Sequence, residues 1–235
     1  MQAIETGLLV SAWERGQAQH PLYRALTLLQ VASPDQTIGG LARLTVGERD
    51  RRLLELRQKL FGSQFEAVAG CPHCQEKLDV SFSASQLPAA SEPAVSVDVA
   101  VGSGAIAVRL PNTIDLLEVV SAEPERREMA LLERCAGTNL SGSAAETVQA
   151  KMAEMDPMAQ VEMDLTCPAC RYVWTSFFDI ASYLWQELND HVIRLFRETH
   201  ALARTYGWRE ADIFGMTPRR RRIYLNLAAG IEPCF

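Results

Sequence analysis

Four cysteines fall in two short pairs, Cys71 and Cys74 in "GCPHC" and Cys167 and Cys170 in "TCPAC". Two residues between cysteines let both thiolates of a tight turn face one ion, and two such turns fill the four positions of a tetrahedral zinc shell. The spacing predicts a single structural zinc ion held by Cys71, Cys74, Cys167 and Cys170. Such a shell has no open position for water or substrate, so it predicts architecture rather than catalysis. Four thiolates around a divalent cation carry a net charge of about −2, which makes nearby cations favourable. Lys77 and Arg171, just beyond their respective pairs, are the candidates. A thioredoxin-like redox pair is the competing chemistry, but it needs a strand before the pair and a helix after it. Here each pair lies between two strand-like segments.

The elements that must position the cysteines can be read from periodicity. "FEAVAG" and "KLDVSF" flank the first pair, and "QVEMDLT" and "YVWTSFF" flank the second, which predicts two β-hairpin knuckles. Ninety-two residues, Gln75 to Thr166, separate them. Closing a loop of roughly 90 residues costs about 4 kcal/mol, against the order of 10–16 kcal/mol that structural zinc supplies. The intervening chain can therefore fold by itself. It opens with the linker "SASQLPAASEPA", continues as a predicted hairpin in which Val95, Val97, Val99 and Val101 face Ile106, Val108 and Leu110 across a Gly-Ser-Gly turn, and ends in two or three amphipathic helices stopped by Pro157.

Helices are predicted on both sides of this unit. Leu53, Leu54, Leu56 and Leu60 form one stripe ending at Gly62, while "SPDQTIGG" reads as a loop and Trp13, Leu22, Leu26 and Leu29 as core. Ile180, Leu184, Leu188, Val192, Leu195, Leu202 and Tyr206 keep helical spacing up to about Thr205, with Gly207 as the stop. A short helix in "READIFG" follows, then one opened by Thr217 and Pro218. The predicted class is α+β, mostly helical: a split zinc ribbon of two CPxC hairpins with an inserted hairpin and helices, flanked by helical ends. Its regions are 1–64, 65–83 (first knuckle), 84–158 (insert), 159–178 (second knuckle) and 179–235.

Charge narrows the partners. The net charge is −6, and Pro111 to Cys170 holds 11 acidic and 4 basic residues, a balance of −7, whereas "TPRRRR" concentrates arginine near the C-terminus. An acidic chain whose knuckles lack basic and aromatic clusters is a poor generic nucleic-acid binder. A nucleic-acid-binding zinc ribbon using the arginine cluster is the alternative reading. No run approaches the roughly 18–20 apolar residues of a membrane span, and the N-terminus has no secretory pattern, so a cytoplasmic protein is expected. "GSGAIA" lacks the helix that a dinucleotide-binding loop requires. His20, His73, His191 and His200 are scattered, Cys135 lies on an apolar helix face, and no catalytic constellation or small-molecule site is recognisable.

Several strings together resemble the T-even-type phage baseplate or tail assembly proteins, whose relatives occur in bacterial contractile injection system gene clusters. They are "LTVGERDRRLLELRQKLFG", "CPHC", "CPAC", "FFDIASYLWQEL" and "ETHALARTYGWREADIFGMTPRRRRIYLNLA". Gln75 and Arg171 depart from the glycine that often follows the second knuckle cysteine. The resemblance implies a non-enzymatic role in a contractile tail, as baseplate hub component or assembly chaperone, with tube, hub, baseplate or tape-measure proteins as partners. Trp185, Tyr206, Trp208, Arg219, Arg220, Arg221 and Arg222 are the candidate contact residues on the C-terminal helices.

Overall fold

The structure is a computed structural model that describes residues 5–88, 96–101 and 104–232. Val95, the tip of the Gly-Ser-Gly turn, the second half (89–94) of the Pro/Ala/Ser-rich linker and Cys234 lie outside the described residues.

Side-chain caps set where the long helices begin. The N-terminal region holds α1 (Thr6–Gly16), α2 (Pro21–Ala32), α3 (Ile38–Ala42) and α4 (Val46–Phe61). Thr45 accepts the Glu48 N–H to open α4, and Gly62, at φ 91°, ends it in a conformation that suits glycine. The segment "SPDQTIGG" is a loop only at first. From Ile38 it turns into α3, because Thr37 caps the Gly40 N–H and Leu41 is fully buried beneath it. A short helix bought by one cap and one buried leucine leaves too little periodicity to be read in advance.

Two hairpins follow the same plan at opposite ends of the intervening chain. β1 (Gln64–Gly70) pairs antiparallel with β2 (Lys77–Ser83), and β5 (Val161–Thr166) pairs with β6 (Val173–Phe178). Both stand on a cluster of rings. Phe65 and Phe82 stack at 4.8 Å, Phe178 meets both edge-on at 5.7 and 5.1 Å, and Tyr183 packs against Phe65 and Phe178 at 5.4 Å. Phe65 and Phe82 belong to the first hairpin and Phe178 to the second, so burying these rings together points both turns the same way.

From Asp179, which caps Ala181 and Ser182, α8 (Ile180–Tyr206) runs 27 residues, about 40 Å, to Gly207 at φ 69°. Ile180, Leu184, Leu188, Val192 and Leu195 on one face complete the main core with Leu26, Leu28, Leu29, Leu53, Leu56 and Phe65. α9 (Glu210–Phe214) and α10 (Pro218–Ala228), capped by Thr217, fold back at its far end.

Between the hairpins lie β3 (Ser96–Val101) and β4 (Gly104–Arg109), paired antiparallel, then α5 (Thr113–Val119), α6 (Pro124–Ala136) and α7 (Gly142–Met155), ended by a 3₁₀ turn at Pro157–Ala159. This insert buries its own core of Val99, Val108, Leu110, Leu132, Cys135, Ala145, Val148 and Met152. It is tied to the start of α4: Val46 donates to the Pro111 carbonyl, and Gly47 donates to buried Asp156 at 2.9 Å. A Cβ on Gly47 would lie 1.6 Å from an Asp156 oxygen, so only glycine fits there.

Inside the insert, Asp115 receives Arg109 at 2.7 Å, Arg134 at 2.6 Å and the Asn112 N–H at 3.0 Å. Burial alone would raise its pKa, yet these donors outweigh it and hold the carboxyl below its ordinary 3.8. A lowered folded-state pKa contributes stability above about pH 3.8 that is lost as pH falls through the depressed value. Asp115→Asn is expected to cost roughly 2 kcal/mol at neutral pH, less than a fully buried pair because both arginines reach water. It should also flatten the acid limb of a stability-against-pH curve; an unchanged limb contradicts the assignment.

Candidate metal centre

The two turns are built alike, bond for bond. Cys71 N–H donates to the Glu76 carbonyl and Gln75 N–H to the Cys71 carbonyl, both at 2.9 Å; Cys167 N–H donates to Tyr172 at 2.9 Å and Arg171 N–H to Cys167 at 3.0 Å. These bonds curl each turn so that both of its sulfurs face the other hairpin. Closing the curl requires positive φ after the second cysteine, and Gln75 (62°) and Arg171 (64°) supply it without being glycine. The departure from glycine thus changes the conformational cost of the turn and leaves its geometry intact.

The four sulfurs converge. Cys71 Sγ lies 3.7 Å from Cys170 Sγ and Cys74 Sγ 3.6 Å from Cys167 Sγ, and the four ligand atoms all lie within 4.8 Å of one another. Disulfide sulfurs sit at about 2.05 Å, so these are not bonded pairs. A tetrahedron with metal–sulfur distances of about 2.3 Å has edges of about 3.8 Å. The chemistry and spacing of the donors therefore fit one four-coordinate, thiophilic cation, drawn equally from residues nearly a hundred positions apart.

The sulfurs differ in their electrostatic surroundings. The backbone N–H of Cys170, then that of Ala169, is directed at the Cys167 sulfur and brings its pKa down to about 7. At Cys74 the Glu76 N–H pulls downward, but desolvation and the surrounding thiols prevail and push it up to about 12. Without a cation the four sulfurs compete for protons, whereas a divalent ion lets all four be thiolates. Cys71 and Cys167 are buried, Cys170 is half-buried and Cys74 is exposed. Cys135 belongs to the insert core, where burial pushes its thiol up to about 11.

Other predicted site residues fall differently. Lys77 and Arg171 are exposed, and neither makes a hydrogen bond or ion pair to the sulfurs among the described residues. Arg171 serves through its backbone. Arg171→Gly should retain full metal and be neutral or stabilising by up to about 1 kcal/mol, whereas Arg171→Val, β-branched at positive φ, should cost about 1–2 kcal/mol. Metal loss on Arg171→Gly would instead show that its charge is needed.

Among the C-terminal candidates, Arg221 is corrected: it is 3% exposed, bonded to Glu198 at 3.0 Å and to the Met216 carbonyl at 2.7 Å, and pins α10 to α8. Its neighbours Arg219, Arg220 and Arg222 point outward. Trp185 is half-buried under the Arg24 guanidinium, 4.8 Å from its ring centroid, and a Cβ on Gly16 would lie 2.3 Å from its ring. Tyr206 stacks on Trp208 at 4.5 Å, and Tyr224 meets Trp208 edge-on at 4.8 Å.

One expectation is corrected, that the knuckles lack aromatic clusters, and one feature, the role of Arg57, is new. The knuckles carry aromatic rings after all: His73 of the first stacks on Tyr172 of the second at 5.4 Å, and Tyr172 on Trp174 at 6.4 Å, bridging the hairpins outside the sulfurs. The aromatic residues stand beside "CPAC" in the sequence, but only the fold brings His73 to them. Arg57 anchors the first hairpin. It bonds Glu187 twice, at 2.8 and 2.6 Å, and the Gly62 and Gln64 carbonyls at 2.7 and 2.6 Å, with its guanidinium 3.9 Å from the Phe65 ring centroid.

No family model, curated protein or solved structure matches this chain. No helix among the described residues is long and apolar enough to cross a membrane.

Proposed function

We propose that the chain is a zinc-stapled, non-enzymatic assembly factor or structural component of a contractile phage tail or tail-like injection particle. The observation that carries the zinc ribbon is the convergence of four cysteine sulfurs, two from each hairpin, within 4.8 Å. Tetrahedral sulfur sites take zinc or iron, and zinc is the redox-inert member suited to architecture. With all four positions occupied by protein thiolates, the ion staples the two hairpins and offers no position to a substrate. The particle assignment rests on the resemblance of the α4, knuckle and α8–α10 strings to tail assembly proteins. It is supported by exposed groups suited to protein contact, among them Phe177 and Val173 on the second hairpin and Leu227 on α10.

The test is a pull-down of the tagged full chain from cells expressing its neighbouring genes, with metal content read in parallel. Zinc-containing protein that brings down tube, hub, baseplate or tape-measure proteins is the expected result. Exposed Arg219, Arg220 and Arg222 favour one other reading, a nucleic-acid-binding zinc ribbon. Recovery of nucleic acid alone, released by salt, would replace the proposal with that reading.

A further inference from the structure

The two ends of the molecule are unlike in charge and alike in exposed apolar surface. At the far end of α8, Arg219, Arg220 and Arg222 stand on the first turns of α10, exposed and without an acidic partner among the described residues. Only Arg221 of the four is paired, with Glu198. Arg220 lies 5.8 Å from the Tyr224 ring centroid, and Leu227, 47% exposed, continues the stripe at i, i+4 and i+7. Ile231, just past the helix, is 57% exposed. The outer face of α10 is therefore basic with apolar tips: Leu227 and Ile231 are exposed, while Tyr224 is half-buried against Tyr206 and Trp208.

The insert sits beside the opposite end of α8, where Leu116 shares a surface with Asp179, Ala181 and Ser182. Leu22, Leu116, Val120, Leu131, Met152 and Phe177 line an apolar cleft of about 830 Å³ between α2, the insert and β6. Val120 and Phe177 on its walls are 37% and 65% exposed. The insert, 84–158, is acidic, with 11 acidic and 5 basic residues for a balance of −6. Its Glu123, Glu125 and Glu146 are exposed with no cationic partner among the described residues. The cleft's charged lining includes Arg127 and Glu128, and Glu123 and Glu125 at the start of α6 and Glu146 on α7 stand outside that lining, so a basic stripe with apolar tips would meet an apolar cleft with acidic groups at its rim. Arg221 bonds Glu198, 17 residues or about 25 Å along α8 from Ala181, and both units are packed on that helix, so one molecule cannot bring its own stripe into its own cleft.

We infer that the chain associates with a second copy of itself head to tail, the Arg220–Tyr224–Leu227 stripe of one copy seating in the insert cleft of the next. Contacts of this kind join different patches on the two copies and so propagate into rings or filaments rather than stopping at a dimer. The inference is independent of the particle assignment, since it concerns only like chains.

Sedimentation velocity of the metal-loaded full chain tests it. Average mass should rise with protein concentration at low salt and fall at high salt. One variant reverses the helix charges (Arg219→Glu, Arg220→Glu and Arg222→Glu) and another the insert charges (Glu123→Lys, Glu125→Lys and Glu146→Lys). All six positions are exposed, and circular dichroism checks that each variant folds. Each variant alone should associate about tenfold more weakly or worse, and mixing the two should restore association, because each then meets an opposite charge. A chain that stays monomeric at every concentration in low salt overturns the inference. So does association that survives both reversals, or that occurs only with nucleic acid present.

Discussion

Cys167→Ser is expected to release the metal and to destabilise the protein by on the order of 5 kcal/mol, a large part of a small domain's stability. Cys167 is fully buried and its sulfur is 3.6 Å from that of Cys74, so the serine oxygen replaces a central ligand and not a peripheral one. The cost is expected to be large because an ion held by all four sulfurs would fix the two turns to each other, where ring contacts at the hairpin bases and the His73–Tyr172 stack otherwise join them. Each is a two-stranded sheet, with its turn reaching beyond the ring cluster around Phe65. Two-stranded hairpins are marginal alone. The control is Cys135→Ala, which removes a buried thiol from the insert core. It should cost only about 1–2 kcal/mol and leave metal content unchanged. Chemical denaturation with elemental analysis on both variants reads the difference. Equal metal in Cys167→Ser and the parent chain would sink the assignment.

Arg57→Met should cost about 3 kcal/mol without removing any ligand. The side chain is 3% exposed and holds Glu187, two carbonyls and the face of Phe65 together. Methionine keeps most of the packing but leaves two carbonyls without a donor and Glu187, itself a quarter exposed, to water. Arg57→Lys should lose nearly as much, because an ammonium cannot span Glu187 and both carbonyls in one plane. The expected signature is a lower denaturation midpoint with metal content still at the parent value. A variant as stable as the parent would show that the network contributes nothing.

Signals carried by one residue and its immediate neighbours were legible in the sequence. Thr217, read as the opener of the last helix with Pro218, caps α10 because its side-chain oxygen reaches the Arg220 N–H three residues on. The CPxC pairs declare their turns, and the stripe from Ile180 to Leu202 announced α8 because Ile180, Leu184, Leu188, Val192 and Leu195 face one core and Leu202 is fully buried beyond it. What escaped depends on tertiary neighbours. Nothing local separates Arg57 from Arg51 and Arg52, which pair with Glu48 and Glu55 on their own helix and, for Arg52, with Gln36, or Arg221 from its three exposed neighbours. The His73–Tyr172 stack joins residues that meet only once both hairpins stand on the same rings. Lys77 and Arg171 show the converse: proximity in sequence to a ligand did not become contact with it.

One metal ion, held by Cys71, Cys74, Cys167 and Cys170, is proposed to join the two hairpins. The most direct measurement is the zinc content of the purified full chain, followed by its melting temperature before and after removal of the metal by a strong chelator. The expected result is one zinc per chain and a fall in melting temperature of many degrees on chelation, reversed by adding zinc. A metal-free protein that melts at the same temperature with and without zinc would contradict the claim.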